Sequence, residues 1–215
     1  MISWKGLAAI SVTSLLVGCT TAAEHRENLT GGGPIDQLEA VNYFTDLEPE
    51  GTEASGELRD LLVPVAQDRK TVSGIARSAA LRAMARHPHP DFFQSLVDAL
   101  EDPSFVARMR AAEGLGRYRD ARAVPHLARA LAEDEHPWVR MKAAQALTLI
   151  GDRSAVKPLI DALADSYPDP VRYDAYLGLE ALTSLDLGRD PEAWAAWWEK
   201  EGRSLYGAPI PPPGP

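Results

Sequence analysis

Small and apolar residues return along the middle of this chain at a step of 31 or 32 positions. Arg77, Arg108, Arg140 and Arg172 keep that step, as do Ala80, Ala111, Ala143 and Ala175, and Met84, Leu115, Leu147 and Leu179. Further on in each unit Leu96, Leu127 and Leu159 recur, followed four residues later by Leu100, Leu131 and Leu163. Within a unit the apolar positions lie three and four residues apart, which is the spacing of one face of a helix. Each unit therefore predicts two helices, and a fixed period of this size predicts a stacked array. The expected pairs are 72–86 with 91–101, 104–118 with 122–133 and 138–150 with 155–165, then a further first helix at 170–183. The paired alanines let each first helix pack closely on its neighbour, and the leucines of the second helix fill the shared core. One hairpin cannot bury its apolar face alone, whereas a stack can.

The units share phrases as well as periodicity. Ala-Arg-Met-Arg-Ala-Ala-Glu-Gly-Leu-Gly from Ala107 returns as Val-Arg-Met-Lys-Ala-Ala-Gln-Ala-Leu-Thr from Val139. On these residues the chain resembles the HEAT-like repeats also found in phycobilin lyases, over roughly residues 71–186. The resemblance implies an all-α fold, a short α-solenoid of about four helical hairpins, with the second helices on the concave side. It further implies a role in binding other proteins and identifies no reaction.

At either end the pattern departs from the repeat. Leu38, Val41 and Phe44 predict a short helix at 35–44, and 58–66 a second, with Pro64 bending or ending it; residues 34–70 read as a degenerate first unit. Glu-Pro-Glu-Gly-Thr-Glu-Ala-Ser-Gly at 48–56 reads as a loop. After Leu187, Asp190 and Pro191 open a helix carrying Trp194, Trp197 and Trp198 on one face, over 188–204. Its expected role is a lid on the exposed end of the core, with a sugar- or peptide-binding platform as the alternative. Residues 205–215 form a proline-rich tail.

Charge changes the picture mainly at the N-terminal side. The net charge is −9. Residues 20–57 carry nine carboxylates and one arginine, whereas residues 71–186 carry sixteen acids and fourteen bases. The array is near neutral and has no basic stripe, which argues against nucleic acid as a partner. Residues 1–18 read as a secretory signal: Lys5, then an apolar run from Leu7 to Val17 that is too short to span a bilayer. Leu16-Val17-Gly18-Cys19 resembles a bacterial lipobox, which implies cleavage before Cys19 and lipid on its thiol; an ordinary secretory cut near Ala22 or Ala23 is the alternative. Several acyl chains, at about 0.8 kcal/mol per buried methylene, make a durable membrane anchor. Thr20 as the second mature residue favours the outer membrane, facing the periplasm. Residues 19–33, rich in polar residues and ending in three glycines, read as a flexible tether.

Chemistry is sparse. His87 and His89 alternate with prolines in a segment that does not bring them together on one ion, so no metal is expected. No His-Glu dipeptide occurs, which argues against the di-iron hydroxylases built on HEAT repeats. No phosphate-binding glycine loop, Gly-x-Ser-x-Gly or CxxC is present. No cofactor and no catalysis are expected. The arginine ladder is read as structural, paired with acids such as Asp120 or Asp152, which also cap the second helices. The expected partner surface lies on the second helices: Asp98, Arg129 and Asp161 at equivalent positions, with His126 and Lys157 beside them. The whole predicts a monomeric, non-catalytic envelope lipoprotein that binds an unknown envelope protein. An enzyme's accessory subunit and a cell-wall binder using the three tryptophans are the alternatives.

Overall fold

The structure, a computed structural model, describes residues 22–46, 51–87, 89–164 and 168–207. The signal segment, the lipobox, Cys19 and the end of the tail lie outside the described residues. Twelve helices are present among those described, with no strand: α1 (Ala22–Gly31), α2 (Pro34–Asp46), α3 (Gly51–Gln67), α4 (Gly74–Arg86), α5 (Phe92–Asp98), α6 (Phe105–Tyr118), α7 (Val124–Glu133), α8 (Pro137–Ile150), α9 (Val156–Asp161), α10 (Asp169–Thr183), α11 (Pro191–Trp197) and α12 (Arg203–Tyr206). From α2 onward they form hairpins, each stacked on the next. The even-numbered helices α2 to α10 make one layer and the odd-numbered helices α3 to α11 the other. No helix among the described residues is long and apolar enough to cross a membrane.

Local chemistry sets the helix ends. Ser73 caps α4 by accepting from the Ala76 amide at 3.2 Å. Asp120 and Asp152 accept from the amides of Arg122 and Ser154, at 2.9 and 2.8 Å, and so open the 3₁₀ turns that lead into α7 and α9. At the C-terminal ends of α6, α8 and α10 the chain turns through left-handed residues: Arg119 (φ 51°), Gly151 (φ 75°) and Ser184 (φ 60°). Between the layers the repeating leucines are fully buried, Leu96, Leu127 and Leu159 from the second helices and Leu115, Leu147 and Leu179 from the first.

The arginine ladder ties hairpins together through other acids than expected. Arg77 donates through Nε and Nη2 to both oxygens of Asp102, at 2.7 and 2.8 Å. Arg108 repeats the fork on Asp134, at 2.7 and 3.0 Å, and donates to the Asp102 carbonyl at 2.9 Å. Arg140 in turn donates to the Asp134 carbonyl. Asp120 and Asp152 are occupied as caps. The partners are instead the acids of the loop leaving each hairpin, which the next first helix follows. The loops at Asp102 and Asp134 are thereby each held by the arginine before and the arginine after. Arg77, Arg108 and Asp102 are all buried.

Four expectations at the ends are corrected. The tether contains α1, which buries Leu29 and stacks the His25 ring on Tyr43 at 4.1 Å. The loop at 48–56 gives way to α3 from Gly51 onward. Pro64 neither bends α3 visibly out of helix nor ends it, since the helix runs on to Gln67; proline's missing amide deprives only the Asp60 carbonyl, one turn from the end. At the C-terminal end Trp194 is fully buried and donates from Nε1 to the Gly188 carbonyl at 2.8 Å, and Trp198 is buried beside it. These two rings serve the core as the expected lid, and of the three tryptophans only the half-buried Trp197, edge-on to Trp194 with centroids 5.6 Å apart, keeps a face toward solvent, so the three do not form a common platform.

Candidate functional site

The first helices pack on one another far more closely than the second helices do. Small residues make this possible. A Cβ on Gly116 of α6 would stand 2.8 Å from the Ala146 Cα of α8, and one on Gly178 of α10 would stand 2.3 Å from Thr148 Oγ1. On the other layer the helices from α5 onward are shorter and splayed. A cavity of about 440 Å³ opens there, between Leu100, Glu101 and Asp102 on one side and His126, Arg129 and Glu133 on the other. Two layers held at different spacing curve toward the closer one. The first helices therefore form the concave side, which corrects the expectation that the second helices do.

The expected ladder of alternating charge on the second helices does not assemble. The Asp98 carboxylate accepts from Gln94 Nε2 at 2.8 Å on its own helix, and its carbonyl accepts from Arg69 at 2.8 Å. Arg129 pairs with Glu101, and Lys157 with Asp161 one turn along α9. His126 is half-buried in the cavity wall, where burial first, then Arg129, hold its pKa below the usual imidazole range against the pull of Asp98. Exposed pairs of this kind contribute little. Among the described residues no group of three or more His, Cys, Asp or Glu is placed to hold a metal ion.

What the concave side presents was missed from sequence. Beside each repeating arginine, one position on, stand Ser78, Met109, Met141 and Tyr173; two positions before it stand Ile75, Val106, Trp138 and Pro170. Several of these are large and in solvent: Trp138 is 56% exposed, Ile75 58% and Tyr173 49%, with Phe105, Leu149 and Leu177 also exposed. Apart from Ile35 and Leu205 near the ends, every exposed large apolar side chain among the described residues lies on this layer. Phe105 at the start of α6 stacks flat on His136, the residue capping α8, with centroids 3.9 Å apart. The apolar row thus runs from hairpin to hairpin. Apolar surface arranged in this way marks an interaction site.

A polar band lies alongside. Arg110 and Arg117 both donate to Glu113, at 2.8 and 3.0 Å. Lys142 donates to Gln145 at 2.9 Å, and Gln145 donates across the helix boundary to Asp174 at 2.9 Å. Burial pushes the Asp174 carboxyl up, with Gln145 and Lys142 opposing. Burial acts on Glu113 in the same sense, but Arg110, Arg117 and Lys142 together hold it below the usual range. Lys142 therefore serves two carboxylates on neighbouring helices. The sequence did hold a signal for this surface. Positions that keep their residue in every unit are structural, whereas those filled by Met-Arg, Met-Lys and Tyr-Asp in successive units are free to serve something else.

Two overlapping stretches, residues 60–135 and 96–180, match HEAT repeats and together take in more than half of the chain. The chain belongs to the HEAT-repeat family. Among solved structures, this HEAT-repeat chain is similar to the complex of CpcE and CpcF of phycocyanin lyase from Nostoc sp. PCC7120, at 20% identity and a TM-score of 0.59, covering 85% of this chain and 71% of that one. At such identity the likeness speaks for the fold. No curated protein sequence matches this one. The likeness also overturns the expectation of a chain outside catalysis: a lyase complex is built on the same HEAT-repeat fold, so the lack of a nucleophile-base pair does not set the chain apart from enzymes.

Proposed function

We propose that this HEAT-repeat chain is a subunit of a lyase-type enzyme complex at the bacterial envelope, and that it engages its partner protein with the concave face of its first helices. The observation that carries the reading is the row of exposed apolar side chains that crosses from α4 to α10, flanked by a band of fixed charges. Among the described residues the second helices carry no such apolar row, and their charged groups are paired locally.

A lipid anchor on Cys19 belongs to the same proposal and rests on the apolar run, the lipobox and Thr20. Helix α1 alters its geometry. Only Thr20 and Thr21 separate Cys19 from Ala22, a reach of about 10 Å, where the fourteen residues 20–33 fully extended would have given about 50 Å. With α1 packed on α2, the array sits against the bilayer by its N-terminal end and keeps the concave face to the side.

Photo-crosslinking in intact cells tests both parts. A crosslinker at Trp138 or Tyr173 is expected to capture one defined partner, and one at Asp98 or Asp161 is not. Replacing Cys19 by Ser is expected to release the chain from the membrane fraction. Equal capture from both layers would sink the concave-face reading, and unchanged membrane association would sink the anchor.

A further inference from the structure

We infer that the concave face takes an acidic amphipathic α-helix of the partner, lying along the stack and across the first helices. The inference deepens the concave-face reading above and rests on it. Three features of the face lead to this occupant.

The first is the backbone. Between their first and last turns the amides and carbonyls on this side are committed within α4, α6, α8 and α10, so the face offers side chains and no free strand edge. An extended segment laid across it would bury backbone groups without partners. A helix brings its own backbone satisfied and needs only a matching surface.

The second is spacing. Packed helices stand about 8–10 Å apart, and a helix advances about 10.5 Å in seven residues. Apolar side chains at a seven-residue interval on the partner would meet Met109, Met141 and Tyr173 in turn, one for each hairpin. Methionines adapt to the shape of what docks on them, while Trp138 and Tyr173 give it rigid edges.

The third is charge. Outside the buried arginine ladder α4 and α6 carry Arg82, Arg86, Arg110 and Arg117 against Glu113, four positive groups and one negative, a local balance of +3 in a chain of net charge −9. On α8 and α10 Lys142 stands against Asp169, Asp174 and Glu180, and α2 carries acids and no base, so the positive charge is confined to the α4–α6 part of the face. Arg82, Arg86 and Arg117 are exposed and stand toward the C-terminal ends of α4 and α6, beyond the apolar row. A partner helix with carboxylates along the edge that faces them would be steered and oriented by them.

The test is selection from a displayed library of 21-residue peptides. These keep leucine at a seven-residue interval and randomise the flanking positions among Glu, Lys, Ser and Pro; the bait is the full chain. Expected are pools enriched at least tenfold in Glu over Lys on one edge and depleted in Pro, with binding that weakens as salt rises. The Arg82→Glu, Arg86→Glu, Arg117→Glu triple variant is expected to invert the preference toward Lys, and the corresponding Gln variant to abolish it. Melting curves beside the parent check that these variants fold. Enrichment of Lys or Pro, or a Glu preference that survives the triple variant, overturns the inference. Peptides that lose binding with Trp138→Ala and Tyr173→Ala but show no charge preference leave the face and remove the acidic helix. Peptides indifferent to both substitutions, or no enrichment at all, remove the face as well.

Discussion

Asp102 carries the Arg77 fork where water does not reach, with 1% of its surface exposed, and it also accepts from the Ser104 amide at 2.7 Å. Taking away one partner of a buried pair strands the charge of the other, a loss of about 3–5 kcal/mol. Asp102→Ala is therefore expected to lower the free energy of unfolding by that amount, and Arg77→Met with Asp102→Ala to lose less than the two single changes summed. Urea denaturation of all three variants decides; additive losses would mean that the pair is not coupled. Arg119 makes the opposite case. Its left-handed backbone is disfavoured by about 1–2 kcal/mol in a residue with a Cβ, and the equivalent residue one hairpin later is Gly151. Glycine gives back about 0.5–1 kcal/mol in chain entropy. Arg119→Gly should thus stabilise by about 0.5–1 kcal/mol relative to Arg119→Ala, seen as a rise in Tm. At this scale the sequence showed the arginines and hid their partners. Asp102 and Asp134 are 32 apart, and so are Asp120 and Asp152. Periodicity ranks the two sets equally, and only the path of the loops tells the tie from the cap.

Between neighbouring helices, small residues decide how near two backbones come. Gly116→Ala gains about 1 kcal/mol of helix propensity, but the new methyl meets Ala146 Cα at 2.8 Å, and backbone cannot swing aside. Overpacking of this kind costs about 1–3 kcal/mol, so a net loss near 1 kcal/mol is expected in thermal or urea melts. A gain would show that α6 and α8 do not touch there. Asp174 shows how packing between α8 and α10 reaches into pH. Burial raises its pKa above the value it has in the unfolded chain, so the folded state holds that proton the more tightly. Its charged form opposes folding near neutral pH, and acidification through the raised pKa relieves the opposition. Asp174→Asn is expected to be more stable than the parent at pH 7, with the advantage shrinking as the parent carboxyl protonates. A difference that stays constant from pH 7 down to pH 3 would refute it. The regular helices were legible because three- and four-residue apolar spacing is dense there. Residues 22–31 were not, because their burial depends on one histidine and one leucine meeting α2, a contact that no local pattern announces.

Curvature belongs to the whole array, and it could not be read from helices taken singly. Each unit advertised two helices of similar apolar content. Which layer lies inside depends on the difference between two spacings, set by Gly116, Gly178 and the paired alanines in one layer and by leucines in the other. The reading of a charge ladder through Asp98, Arg129 and Asp161 presupposed the other layer inside, and local pairing on the second helices undoes that ladder. The same stacking dictates how the molecule comes apart. Each hairpin leans only on its neighbours, so stability is close to a sum along the array and damage stays near its source. Trp194 closes the C-terminal end as its largest buried side chain. Trp194→Ala is expected to cost about 3–5 kcal/mol and to spend most of it locally. In hydrogen exchange, the amides of α10 and α11 should lose protection by orders of magnitude while those of α4 and α6 keep theirs. Uniform loss from α4 to α11 would show instead that the hairpins open together, and that the cap guards the whole core rather than its last face.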